Sequence, residues 1–177
     1  MRFQTLVGLW LAISIAPPAA AEDNAAKLIA EGNAWSVTEQ KSPLDDSPGV
    51  TAILLDPQSN NALAIRCREG ETFMGVISEK YVGSSDVAIQ YRLNKAEPSG
   101  KLGKPFITST GKAVSFGLLG IALFSALHDD DTLFVRIYSS AGHIVDSTFS
   151  LNRVEAVREK VLSACPIKPS KPNLNAK

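Results

Sequence analysis

Apolar and polar residues alternate in short runs along most of the chain, and clusters of turn-forming residues separate the runs. That texture predicts half-buried antiparallel strands. Trp35-Ser36-Val37 opens the series, and Ser42-Pro43-Leu44-Asp45-Asp46-Ser47-Pro48-Gly49 reads as a turn. Val50 to Leu55 is the next strand, ended by Asp56-Pro57. From Ala62 to Cys67 the alternation is clean: Leu63, Ile65 and Cys67 share one face, Ala64 and Arg66 the other. Thr72 to Ser78 follows after Glu69-Gly70, and Val82-Gly83-Ser84-Ser85 turns the chain again. In the next strand Val87, Ile89, Tyr91 and Leu93 oppose Ala88, Gln90 and Arg92. Residues 94–104, with two glycines, a proline and three lysines, read as a solvated loop. Phe106 to Ser109 and Ala113 to Phe116 flank Thr110-Gly111-Lys112 as a hairpin, and Leu133 to Tyr138 and Ile144 to Leu151 form two more strands.

Two segments break the period. Leu118 to Leu127 is apolar at nearly every position, so periodicity does not separate a buried helix from a buried strand. Near the end, Val154, Val157, Val161 and Cys165 recur at helical spacing, Pro166 stops the run, and Asn152 with Glu155 resembles a capping box. The prediction is a mainly β domain over residues 35–166. About eight short strands would form an antiparallel β-sandwich or a strongly curved sheet, with the C-terminal helix packed on it. Residues 167–177 are rich in Lys, Pro, Ser and Asn and read as a disordered tail.

Charge and hydropathy at the start of the chain place it outside the cytoplasm. Arg2 is followed by no ionisable side chain until Glu22, and Leu6 to Ala16 is an apolar run of signal-peptide length. Pro17-Pro18 breaks any helix, and Ala19-Ala20-Ala21 supplies the small residues of a cleavage site. Residues 1–21 thus read as a cleaved signal peptide and residues 22–34 as an N-terminal arm; the mature protein is expected to be periplasmic or secreted. With 18 basic and 18 acidic residues in the chain, charge gives no reason to expect nucleic acid or an anionic membrane as partner. No later segment has the length and apolarity of a membrane-spanning helix.

Export changes the reading of the two cysteines, Cys67 and Cys165. In an oxidising compartment two thiols in one chain most simply form one disulfide. Closing a loop of roughly 100 residues is worth roughly 4–5 kcal/mol in the chain-entropy picture.

Candidate chemistry is thin. Ser109-Thr110-Gly111-Lys112 matches S-x-x-K, but that serine–lysine chemistry needs a helix start, and here a glycine sits in a hairpin. His128 and His143 are the two histidines, and no G-x-S-x-G accompanies them. His128-Asp129-Asp130-Asp131 lacks the alternating spacing that wraps a loop around calcium, and Asp45-Asp46 is explained by its turn. No enzyme activity, metal or cofactor is expected. The pattern of most interest is Arg66, Arg92 and Arg136, each in mid-strand opposite the aliphatic face. On one sheet these would form a basic row with Gln90, Phe134 and Tyr138, suited to a carboxylate or phosphate ligand. The alternative is a solvated sheet face.

In order along the chain, Trp35-Ser36-Val37, Ser42-Pro43-Leu44-Asp45-Asp46-Ser47, Leu63-Ala64-Ile65-Arg66-Cys67, Tyr91-Arg92, Thr148-Phe149-Ser150-Leu151 and Ala164-Cys165 resemble the VasI/TagO-like proteins associated with type VI secretion. The resemblance spans roughly residues 35–165. It implies an exported accessory protein of Gram-negative bacteria, without known catalysis, that acts by contact with an envelope or secretion-system protein. The chain departs from that family in three places. Residues 22–34 hold no cysteine, Leu102 to Phe116 holds no tryptophan, and Pro166 follows the last cysteine. The second functional expectation is a periplasmic domain that binds a small ligand or envelope polymer on the arginine-bearing face.

Overall fold

A computed structural model describes residues 34–103 and 105–166. The expected signal peptide at 1–21, residues 22–33 of the expected N-terminal arm and the expected tail at 167–177 lie outside the described residues.

The alternating runs become strands that pair antiparallel throughout. They are β1 (Ser36–Lys41), β2 (Pro48–Asp56), β3 (Asn61–Arg68), β4 (Glu71–Ile77), β5 (Ala88–Leu93), β6 (Leu102–Gly103), β7 (Phe106–Ile107), β8 (Ala113–Ser115), β9 (Thr132–Tyr138) and β10 (Ile144–Ser150). Two helices, α1 (Leu118–Ala126) and α2 (Val154–Ala164), complete the domain. The strands divide into a six-stranded sheet, β1-β2-β3-β4-β8-β7, and a four-stranded sheet, β10-β9-β5-β6. The fold is mainly β with a packed C-terminal helix, as the periodicity predicts. β6 and β7, of two residues each, account for the excess over eight strands, and β6 forms inside the segment expected to be loop.

One core joins the two sheets. Leu54, Leu63, Ile65, Met74 and Val76 line the inner side of the larger sheet and are at most 1% exposed. Ile89, Leu133, Val135, Ile137 and Phe149 of the smaller sheet belong to the same cluster. The ambiguous apolar segment is a helix: α1 turns Leu123 and Phe124 onto the core beside β4, while Leu118 is 88% exposed. Across β2 and β3 lies α2, which buries Val154, Val157 and Val161. The Cys67–Cys165 disulfide ties the end of that helix to β3, with a Cα–Cα distance of 5.7 Å.

The caps differ from expectation. Asn152 does not cap α2. Arg153, at φ 62°, holds the boundary in the left-handed region, and the Asp129 carboxylate accepts the Glu155 N–H at 3.0 Å. An acid from another segment therefore faces the positive end of the helix. Glu155 cannot reach back as a capping box because its carboxylate is 2.9 Å from His128 Nδ1. At the other helix, the Arg158 guanidinium donates to the carbonyls of Phe124, Ser125 and Leu127, capping the C-terminal end of α1. Each helix terminus is thus held by a charge supplied from the other helix region.

The seam between sheets is polar and closed. Asp56, 3% exposed, accepts the Thr148 N–H at 3.0 Å, the Gln58 N–H at 3.0 Å and the Ser59 hydroxyl at 2.6 Å. Asn61 donates to Ser147 Oγ at 2.8 Å and accepts the Glu79 N–H at 3.0 Å. These bonds fix the β2–β3 turn against the middle of β10.

Candidate functional site

The three arginines do not form one row. Arg66 is on β3 of the six-stranded sheet, whereas Arg92 and Arg136 are on β5 and β9 of the other. The cause is pairing: β3 is flanked by β2 and β4, and β5 by β9 and β6. The outer faces of the two sheets point away from each other, so Arg66 is removed from the group with Gln90, Arg92, Phe134, Arg136 and Tyr138.

Those five residues do share the outer face of the smaller sheet, where Gln90 pairs with Arg136 and Arg92 with Phe134. Their polar groups are largely committed to one another. Arg136 donates two hydrogen bonds of 2.7 Å to Asp146, and that carboxylate raises the guanidinium pKa above its ordinary value. Tyr138 donates to Gln90 Oε1 at 2.9 Å, while Gln90 Nε2 donates to the Ser99 carbonyl at 2.7 Å. The Phe134 ring lies between Arg92 and Arg136, with guanidinium carbons 5.7 and 5.6 Å from its centroid. Lys101 Nζ lies 3.9 Å from the Tyr138 centroid. This face is a solvated, self-paired polar lattice.

The acidic turn is structural as well. Asp131 accepts the His128 N–H at 2.8 Å and the Asn94 amide at 2.7 Å. Slight burial raises its pKa, but these bonds outweigh it and hold the carboxyl below the ordinary value. Asp129 caps α2. Among the described residues no group of three or more His, Cys, Asp or Glu side chains is placed to hold a metal ion. Ser109 and Lys112 lie on the turn between β7 and β8, where Gly111 takes φ 65° beside the Tyr81 ring.

The outer face of the six-stranded sheet is different in kind. Phe73 is 44% exposed, Ile77 40% and Leu55 36%, all on one side of the sheet. Strand register shows how they are arranged. Ala64, Gly75 and Ser115 align across β3, β4 and β8 and make a low floor. Arg66 and Phe73 form one wall, and Ile77 and Ala113 the other. The walls stand four residues apart on β4, about 13 Å, and the floor crosses two strand gaps, about 10 Å.

Gly75 is required at the centre. A Cβ there would lie 2.5 Å from the Val114 carbonyl oxygen and 3.0 Å from Ser115 Cα. The result is a shallow groove of about 340 Å³ over β3, β4 and β8, lined mainly by carbon, with Thr108 at its far side and Arg66 and Arg68 at one end. Arg68 pairs with Glu69 at 2.9 Å, while Arg66 has no hydrogen-bond or ion-pair partner among the described residues. Alternation alone places Arg66 and Ala64 on this side; the apolar character came from Phe73, Gly75 and Ile77, whose strand has Glu71 as its one charged outer position.

No family model, curated protein or solved structure matches the chain. Among the described residues no helix is long and apolar enough to cross a membrane.

Proposed function

We propose that this chain is exported with cleavage after Ala21 and works in the periplasm as a non-enzymatic accessory module that binds an envelope or secretion-system protein. One observation carries the reading: Phe73 and Ile77, each more than a third exposed, stand on either side of the Gly75 groove, on a sheet face that also exposes Leu55 and that no other described element covers. Contiguous apolar surface of this kind costs solubility and is characteristic of a protein contact. The disulfide fits an oxidising compartment. The resemblance to VasI/TagO-like proteins supports a role beside type VI secretion.

A ligand site on the arginine-bearing face is the weaker reading. Arg136 is already neutralised by Asp146, and both polar ends of Gln90 are occupied, so a carboxylate or phosphate would have to displace internal bonds at these two residues. That leaves Arg92, stacked on Phe134, as the available guanidinium of that face. The test is recovery of a defined envelope protein with the exported chain. Phe73→Ser with Ile77→Ser, two exposed positions, is expected to abolish that recovery while leaving the far-ultraviolet circular dichroism unchanged. Equal recovery by the double variant contradicts the reading.

A further inference from the structure

The apolar groove is not electrostatically neutral. Its wall carries Arg66, paired across the sheet with Thr51 on one side and Phe73 on the other, so a guanidinium stands at the rim beside an exposed ring. Arg68 stands at the same end but shares its charge with Glu69 at 2.9 Å. Arg66 has no hydrogen-bond or ion-pair partner among the described residues, so its donor fork faces the groove unpaired. Among the described residues no acidic side chain lines this groove, and Thr108 and Ser115 supply its remaining polar groups. The width between the walls, about 13 Å, admits one peptide segment.

We infer that the groove takes a single apolar segment of a partner protein that also carries a carboxylate, the apolar side chains covering Ala64 and Gly75 between Phe73 and Ile77 and the carboxylate meeting Arg66. Charge complementarity decides for an acidic partner: a basic segment would bring like charges together at the rim, and a neutral one would leave the guanidinium beside desolvated carbon without compensation. The planar fork of arginine suits a carboxylate held bidentately. This inference rests on the proposal that the outer face of the six-stranded sheet is a protein-contact surface.

The test uses three small probes of one shape: phenylbutyrate, phenylbutanol and phenylbutylamine. Each is titrated into the mature chain while the amide resonances of Ala64, Gly75 and Ala113 are followed. All three are expected to shift those amides, with phenylbutyrate bound about two- to fivefold more tightly than phenylbutylamine, the range expected of one solvent-exposed ion pair. Arg66→Ala is expected to erase the preference between phenylbutyrate and phenylbutylamine, and Arg66→Lys to retain part of it. Equal or tighter binding of the amine overturns the inference, as does a preference that survives Arg66→Ala, or silence of these amides towards every probe. Concentration-dependent shifts without a probe would make a second copy the occupant and also overturn it. The protein-contact proposal fails by a different result, intact partner recovery by the Phe73/Ile77 double variant, so the two failures are distinguishable.

Discussion

Arg136 on β9 and Asp146 on β10 lie directly opposite in register, and the guanidinium donates to both carboxylate oxygens at 2.7 Å. An arginine with the sequence position of a ligand-binding group is thereby a cross-strand ion pair. Both side chains are more than a third exposed, so solvent and salt screen the pair. A double-mutant cycle with Arg136→Ala and Asp146→Ala should return a small favourable coupling that shrinks in high salt. Coupling unaffected by salt would contradict this account.

The disulfide should matter far more. It closes the chain between residues 98 apart and holds the end of α2 to β3. Replacing Cys67 and Cys165 together by Ala is expected to lower unfolding free energy by about 2–5 kcal/mol, read from urea denaturation. The purified exported protein should contain no titratable thiol before reduction.

Much of this was legible in the residues. Period-two alternation gave the inward faces of β3 and β9 correctly, because burial on one side of a pleated strand forces it. Cys67 and Cys165 pair as expected, since two cysteines in one chain leave a single intramolecular pairing. Strand partners were not legible, and that is why Arg66 was grouped with Arg92 and Arg136. Local pattern says which way a side chain points from its own strand and nothing about which sheet the strand joins. The Asp129 and Arg158 caps were hidden for the same reason, being contacts between segments 26 to 34 residues apart. The groove itself escaped notice because it is an absence of side chain at Gly75, framed by neighbours from three strands.

Arg158 offers a sharp test of one such contact. Its guanidinium satisfies carbonyls at the end of α1 that have no helical partner. Arg158→Met, which keeps the apolar stem, should cost about 1–2 kcal/mol, and hydrogen exchange should quicken most at the α1 amides. Uniform quickening across the domain would argue against a capping role.

Asp56 should control acid stability. Burial raises its pKa, but the Ser59 hydroxyl and the Thr148 and Gln58 N–H groups outweigh that and hold it below the ordinary value of 3.8. A carboxyl with a lowered folded-state pKa contributes stability that is complete above the unfolded value. That contribution is lost as pH falls towards the folded one. Urea stability should therefore decline below about pH 4, and the decline should be shallower in Asp56→Asn, which starts from a lower plateau by about 1–3 kcal/mol. Parallel pH profiles would show that Asp56 is not the group responsible.

The claim on which the functional account turns is that the outer face of the six-stranded sheet meets a protein in the envelope. A photoreactive residue placed at Ile77 and, as control, at Arg92 on the opposite outer face reports this directly in cells exporting the chain. The account predicts one discrete crosslinked species from position 77 and none from position 92. Discrete crosslinking from position 92 alone would contradict it.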